Sequence, residues 1–233
     1  KKLRIHSFSM KKTIAIAKGD GIGPEVVEEG VKILRLVETM TDYKFNLVET
    51  PLGGQVWKDT GTNLPELSLQ QMQSSDAILF GAIGLPDLPQ GVAESAILKI
   101  RQSLDLYINL RPLKLFDALH SVCSLKSEFI GDGIDFTVIR ENTEGLYARI
   151  GGEINSETAI NNMVYTRKAV ERILDYAFDY ATKKGHKEII SVDKANLLHT
   201  SAFWRKIFID KGKKFPSLIK TNFYIDAFCQ WLI

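Results

Sequence analysis

The sequence predicts an α/β fold, a mostly parallel sheet covered by helices, on three observations. Short β-branched runs alternate with amphipathic helical stretches along the first hundred residues. A glycine-rich turn joins the first strand to the first helix, and Pro24 and Pro65 stand where helices open.

Taken in order, residues 13–17 form an apolar, β-branched run, the pattern of a buried strand. The turn over 19–23 follows. Pro24 suits the first helical position, and Glu25 sits beside the positive end of the helix dipole. Val26, Val27, Val31, Ile33, Leu34 and Val37 recur at helical spacing up to about Met40. Residues 45–49 and 77–81 read as two more strands, with a short helix from Pro65 between them. A helix over 93–104 runs into a strand near Arg111 and Pro112.

Beyond Pro112 the character changes, and a domain boundary is expected there. Residues 10–112 form a first α/β domain and 113–233 a second. Residues 135–140 read as a strand. The polar stretch 151–164 reads either as an arm or hairpin packing on a partner chain, or as a surface loop. A long amphipathic helix spans 166–184, with Gly185 as its C-cap. Residues 188–193 form a strand, 200–210 a helix and 211–217 a basic loop. The chain stops inside an apolar helix-like run, 225–233, without cap or polar tail, and so reads as truncated.

Composition narrows the function. The 233 residues, 45% hydrophobic and 25% charged, suit one large or two smaller globular domains. A net charge of +2 gives no bulk electrostatic reason to bind nucleic acid or anionic membrane. No apolar run approaches membrane-spanning length. Cys123 and Cys229 make neither a disulfide framework nor a metal cluster, and they read as reduced thiols of a cytoplasmic protein. Residues 1–9 precede Met10, lack the apolar stretch of a secretory signal, and read as a disordered leader.

The chemistry concentrates in arginines. Arg101 and Arg111 flank a helix-to-strand transition, and Arg140 follows in Arg140-Glu141-Asn142-Thr143-Glu144-Gly145-Leu146-Tyr147. Guanidinium is a planar, permanently charged fork that grips carboxylates two-pronged, so three at element ends suggest a small polycarboxylate. The turn Gly19-Asp20-Gly21-Ile22-Gly23-Pro24 is not a Rossmann fingerprint. Proline replaces the last glycine, and Asp20 would repel a pyrophosphate.

Gly19-Asp20-Gly21-Ile22-Gly23-Pro24-Glu25, Leu104-Asp105-Leu106-Tyr107-Ile108-Asn109-Leu110-Arg111-Pro112, the Arg140–Tyr147 motif and Asp193-Lys194-Ala195-Asn196 occur in that order. Together they resemble the β-decarboxylating dehydrogenases, which act on isocitrate, homoisocitrate, 3-isopropylmalate and tartrate or malate. The likeness runs from about residue 12 to 233. It implies an isopropylmalate dehydrogenase-like α/β fold, not Rossmann, in which two domains share one mixed sheet. It implies NAD or NADP, Mg²⁺ or Mn²⁺, and a homodimer with shared active sites. By the same resemblance Arg101, Arg111 and Arg140 clamp the substrate carboxylates. Tyr147 protonates the enol left by decarboxylation, and Lys194 takes the hydroxyl proton. Asp226 matches a metal-ligand aspartate, and Glu94 and Asn196 border the cofactor. Two further metal aspartates and the adenine loop of the family lie beyond Ile233. The 233 residues alone are therefore expected to be inactive.

The helix before Arg101 should meet the substrate's variable arm. Isocitrate-type members place serine six residues and asparagine four residues before this arginine; here stand Ser95 and Ile97. Isopropylmalate-type members place glutamate seven residues before, with apolar residues after; Glu94, Ile97 and Leu98 fit, and Leu197 adds an apolar wall. An apolar pocket gains from an isopropyl group and leaves a third carboxylate unpaired. The expectation is 3-isopropylmalate. Isocitrate and homoisocitrate stay open through Ser95, as do tartrate or malate and a non-catalytic regulatory subunit.

Overall fold

A computed structural model of the chain describes residues 10–232. The leader expected over 1–9 lies outside the described residues. The chain divides into two compact units at Leu104–Asp105.

In the first unit, β1 (Met10–Gly19) is the central strand. It pairs in parallel with β2 (Tyr43–Glu49) on one side and β3 (Ala77–Ala82) on the other. Helices α1 (Gly23–Met40), α2 (Gly54–Thr60), α3 (Glu66–Ser74) and α4 (Val92–Ser103) complete it. The two-residue period of β1 divides its side chains between two cores. Ile14 and Ile16 join Val27, with Val31 and Leu34 of α1 packed against them. Ala15 and Ala17 join Leu69 and Met72 of α3 and Ala96 and Ile100 of α4. Both faces are covered, which is why the strand reads as a continuous apolar run rather than an alternating one. Burying each isoleucine contributes about 1.5–3 kcal/mol.

The second unit holds three strand pairs. β4 (Ile108–Lys114) and β5 (Asp135–Glu141) are antiparallel. β6 (Gly145–Asn155) and β7 (Thr158–Val164) form an antiparallel hairpin, and β8 (Glu188–Asp193) and β9 (Ile219–Tyr224) run parallel. Its helices are α5 (Ser127–Ile130), α6 (Arg167–Lys184), α7 (His199–Gly212) and α8 (Ile225–Trp231). Thr166 caps α6 by accepting a hydrogen bond from Ala169 N, 3.2 Å, and Gly185 closes it in the left-handed conformation. Val170, Ile173, Leu174, Phe178 and Ala181 line the buried face of α6. Phe178 stacks on Phe208 and Phe215 with ring centres 5.3 and 4.8 Å away.

Several expectations change. The division between the compact units falls before β4, which pairs along its whole length with β5. Among the described residues the strands pair in four small ladders of two or three strands. Each antiparallel pair closes its backbone hydrogen bonds with the next strand in sequence. The 151–164 stretch is part of a hairpin. The basic loop begins only after Gly212, and β9 follows it.

Candidate active site

The β4–β5 ladder sets Asn109 opposite Arg140 and Arg111 opposite Val138. Residues two apart on a strand share a face, and directly opposed residues do too, so Asn109, Arg111 and Arg140 stand on one side. Arg111 Nε donates to Asn109 Oδ1 at 2.8 Å, and Arg140 donates to Asn142 Oδ1 at 3.0 Å. Asn109 Nδ2 also points at Asn142 Oδ1, 3.4 Å away. Asn142 is buried and anchored by its Nδ2 on Leu106 O, 3.1 Å. Arg140 lies over the Tyr147 ring, 5.2 Å from its centre. Its Nε is buried and has no hydrogen-bond partner. Three sequence-predicted residues, Arg111, Arg140 and Tyr147, are thus brought together.

The carboxylates nearest in sequence are engaged elsewhere. Glu141 is buried and accepts from Thr143 N and Oγ1 and from Glu144 N, at 2.6 to 3.1 Å. Glu144 accepts from Thr166 N and Oγ1, tying the start of the hairpin to the start of α6.

A second group forms where β8 and β9 end. The parallel register sets Asp193 beside Tyr224, so Lys194 and Asp226 leave their strands close together. Lys194 Nζ donates to Asp226 Oδ1 at 2.6 Å. That contact holds the Asp226 carboxyl below its ordinary range. Beneath them Arg205 grips Asp193 two-pronged, both bonds 2.8 Å, while lying 4.7 Å over the Tyr224 ring. Asp193 also accepts from Ala195 N at 2.8 Å, which fixes the turn carrying Lys194. Asn196 and Leu197 are exposed. Among the described residues no group of three His, Cys, Asp or Glu could hold a metal ion. Asp226 is therefore a single carboxylate donor and not a complete cation site.

In the first unit, Glu94, Leu98 and Arg101 recur on one side of α4 at helical spacing. Glu94 is exposed, and Ile97, Leu98 and Arg101 are half-buried. The 83–91 loop and the first turn of α4 line an open depression of about 380 Å³ with Glu94 on its wall. Ser95 faces inward. Its hydroxyl donates to Val92 O at 2.8 Å and accepts from Asn63 Nδ2 at 2.7 Å.

The glycine turn is structural. Asp20 is buried, and its carboxylate accepts from Gly54 N, Gln55 N and Gly84 N at 2.6, 3.0 and 3.1 Å. The first two donors open α2, so the negative charge also faces a helix N-terminus.

Sequence reasoning missed Asn109, Asn142, Asn63 and Arg205. Asn109 and Asn142 carried a signal, since each stands two positions from a candidate arginine on an extended segment. Asn63 and Arg205 carried none, because their partners are remote in sequence.

No helix among the described residues is long and apolar enough to cross a membrane. The family model described as isocitrate/isopropylmalate dehydrogenase matches residues 13–233. The 3-isopropylmalate dehydrogenase of Aquifex aeolicus is 42% identical over 233 residues, covering 96% of this chain and 64% of that protein. That of Sulfurimonas denitrificans is 40% identical over 224 residues, covering 94% and 62%. The crystal structure of isocitrate dehydrogenase from Methylococcus capsulatus superposes with a TM-score of 0.79 at 31% identity, over 93% of this chain and 61% of that one. The chain thus spans less than two thirds of the length of these relatives. With an α/β fold shared with that dehydrogenase and the match running from residue 13 to 233, the chain belongs to the isocitrate/isopropylmalate dehydrogenase family.

Proposed function

We propose that the full-length protein catalyses oxidative decarboxylation of a 2-hydroxy dicarboxylate, 3-isopropylmalate, with NAD or NADP and Mg²⁺ or Mn²⁺, as a homodimer with shared sites. The observation that carries this reading is the placement of Arg111, Arg140 and Tyr147 on and beside one strand pair. Two fixed guanidiniums beside a phenol match a dianion that must be held while a proton is delivered.

Arg111 and Arg140, with Arg101 from α4, bind the two carboxylates. Lys194 withdraws the proton from the substrate hydroxyl. Tyr147 returns a proton to the carbon left after carbon dioxide departs. The nicotinamide supplies a hydride acceptor and the divalent ion supplies positive charge for the enolate. Glu94 and Asn196, both exposed, would border the nicotinamide. Asp226 would give the cation one carboxylate, and its other ligands would have to come from outside the described residues.

The variable arm favours isopropylmalate over isocitrate. The serine that would hold a third carboxylate has its hydroxyl engaged by Asn63 and Val92 O. What remains on α4 is Ile97 and Leu98, which pair with an isopropyl group and leave a carboxylate unpaired. Steady-state turnover of the full-length protein on 3-isopropylmalate, isocitrate and tartrate tests this. A clear preference for isocitrate overturns the substrate. A folded protein that turns over none of them supports a regulatory subunit instead.

A further inference from the structure

Five arginines of the second unit are partnered in two ways. Arg167, Arg172 and Arg205 each face a carboxylate, that of Glu171 at 3.3 Å, Asp105 at 2.7 Å and Asp193 at 2.8 Å. Arg111 and Arg140 face side-chain amides, those of Asn109 and Asn142. The amide orientation follows from chemistry. A guanidinium only donates, so each asparagine must turn its Oδ1 toward it. That leaves each Nδ2 free to donate. Asn142 uses its own to anchor on Leu106 O, and Asn109 directs its own at Asn142 Oδ1.

We infer that Asn109 and Asn142 are positioning residues, a neutral amide bridge that orients Arg111 and Arg140 while leaving their charge for the substrate. The inference rests on the proposed function and deepens it. A carboxylate at either position would hold the same geometry but neutralise one fork, and the substrate would then compete with an internal anion. An aliphatic side chain would keep the charge and lose the orientation. Glu141 alternates to the other side of β5, where backbone N–H groups and Thr143 engage it, so it does not compete. The bridge reaches from the exposed end, Arg111, to the buried Asn142, which ties an exposed cation to a buried part of the fold.

The test compares Asn109→Asp with Asn109→Ala in the full-length protein, by turnover and by calorimetric titration with 3-isopropylmalate, isocitrate and tartrate. Asn109 is half-buried and suits substitution better than buried Asn142; Asn142→Asp serves as the second variant if it folds. The expected result for Asn109→Asp is a rise in KM and Kd for the substrate of about tenfold or more, with kcat little changed. Asn109→Ala should raise KM less, by about threefold, because the charge remains. A purely structural asparagine predicts the reverse order, since aspartate preserves the acceptor. Wild-type binding that Asn109→Asp leaves unchanged overturns the bridge alone. Wild-type protein that binds none of the three acids overturns the proposed function, and the bridge with it.

Discussion

Lys194 Nζ lies 2.6 Å from Asp226 Oδ1, a contact between residues that leave the ends of two parallel strands. Because β8 and β9 run in the same direction, both residues emerge at the same edge of the sheet. Asp226 is largely exposed, so solvent screens the pair and its effect on stability is small.

Lys194→Ala should therefore leave the thermal midpoint nearly unchanged while turnover falls by about 100-fold or more. The same variant should release the Asp226 carboxyl upward toward its ordinary value of 3.8, read by NMR titration. A depressed carboxyl adds its stabilisation above its unfolded value and loses it as pH falls through the folded one. Acid unfolding of Lys194→Ala should accordingly lack that contribution. Turnover close to wild type would show that Lys194 is not the base.

The Arg205–Asp193 pair should behave in the opposite way. Asp193 is nearly inaccessible and receives both arms of the guanidinium. Removing the cation leaves a carboxylate without its partner, so Arg205→Ala should cost about 3–5 kcal/mol in urea unfolding. A loss as small as that of Lys194→Ala would mean that solvent reaches Asp193 far better than its burial implies.

Asp20 holds three segments of the first unit through three backbone N–H groups. Asparagine offers one acceptor oxygen and turns a donor toward donors, so Asp20→Asn should destabilise by about 2–4 kcal/mol. Gly53 stands against the same carboxylate with φ of 111°. A Cβ there would lie 2.6 Å from Asp20 Oδ2. Gly53→Ala should lose a comparable amount, measured by denaturant midpoint. Wild-type midpoints in both variants would refute the knot.

The Asn63–Ser95 bond predicts a shift in selectivity. Asn63→Ala removes one of the two partners of the serine hydroxyl, and Ile97→Asn adds an amide two residues further along α4. The double variant should lower the isopropylmalate-to-isocitrate ratio of kcat/KM by about tenfold or more. An unchanged ratio would show that this face of α4 does not meet the variable arm.

Parts of this protein were legible because their causes are local. The β1 run, the Thr166 and Gly185 ends of α6, and the strand 188–193 follow from burial pattern and capping within a few residues. The arginines, Tyr147 and Lys194 were legible as chemistry, since guanidinium, phenol and amine have few substitutes. The negative charge of Asp20 is legible in the sequence, but its donors come from Gly54, Gln55 and Gly84, which no periodicity points to.

By itself the sequence determined the α/β alternation, the non-Rossmann turn and the identity of the charged groups, because side-chain chemistry and near-neighbour sterics act within a few residues. Tertiary structure alone decided which groups meet. The β4–β5 register placed two amides between two arginines, the parallel β8–β9 pair joined Lys194 to Asp226, and Asn63 took up the hydroxyl of Ser95. Such pairings depend on strand register and on packing between distant segments, and a hydrogen bond a few ångströms long forms only once folding has set both.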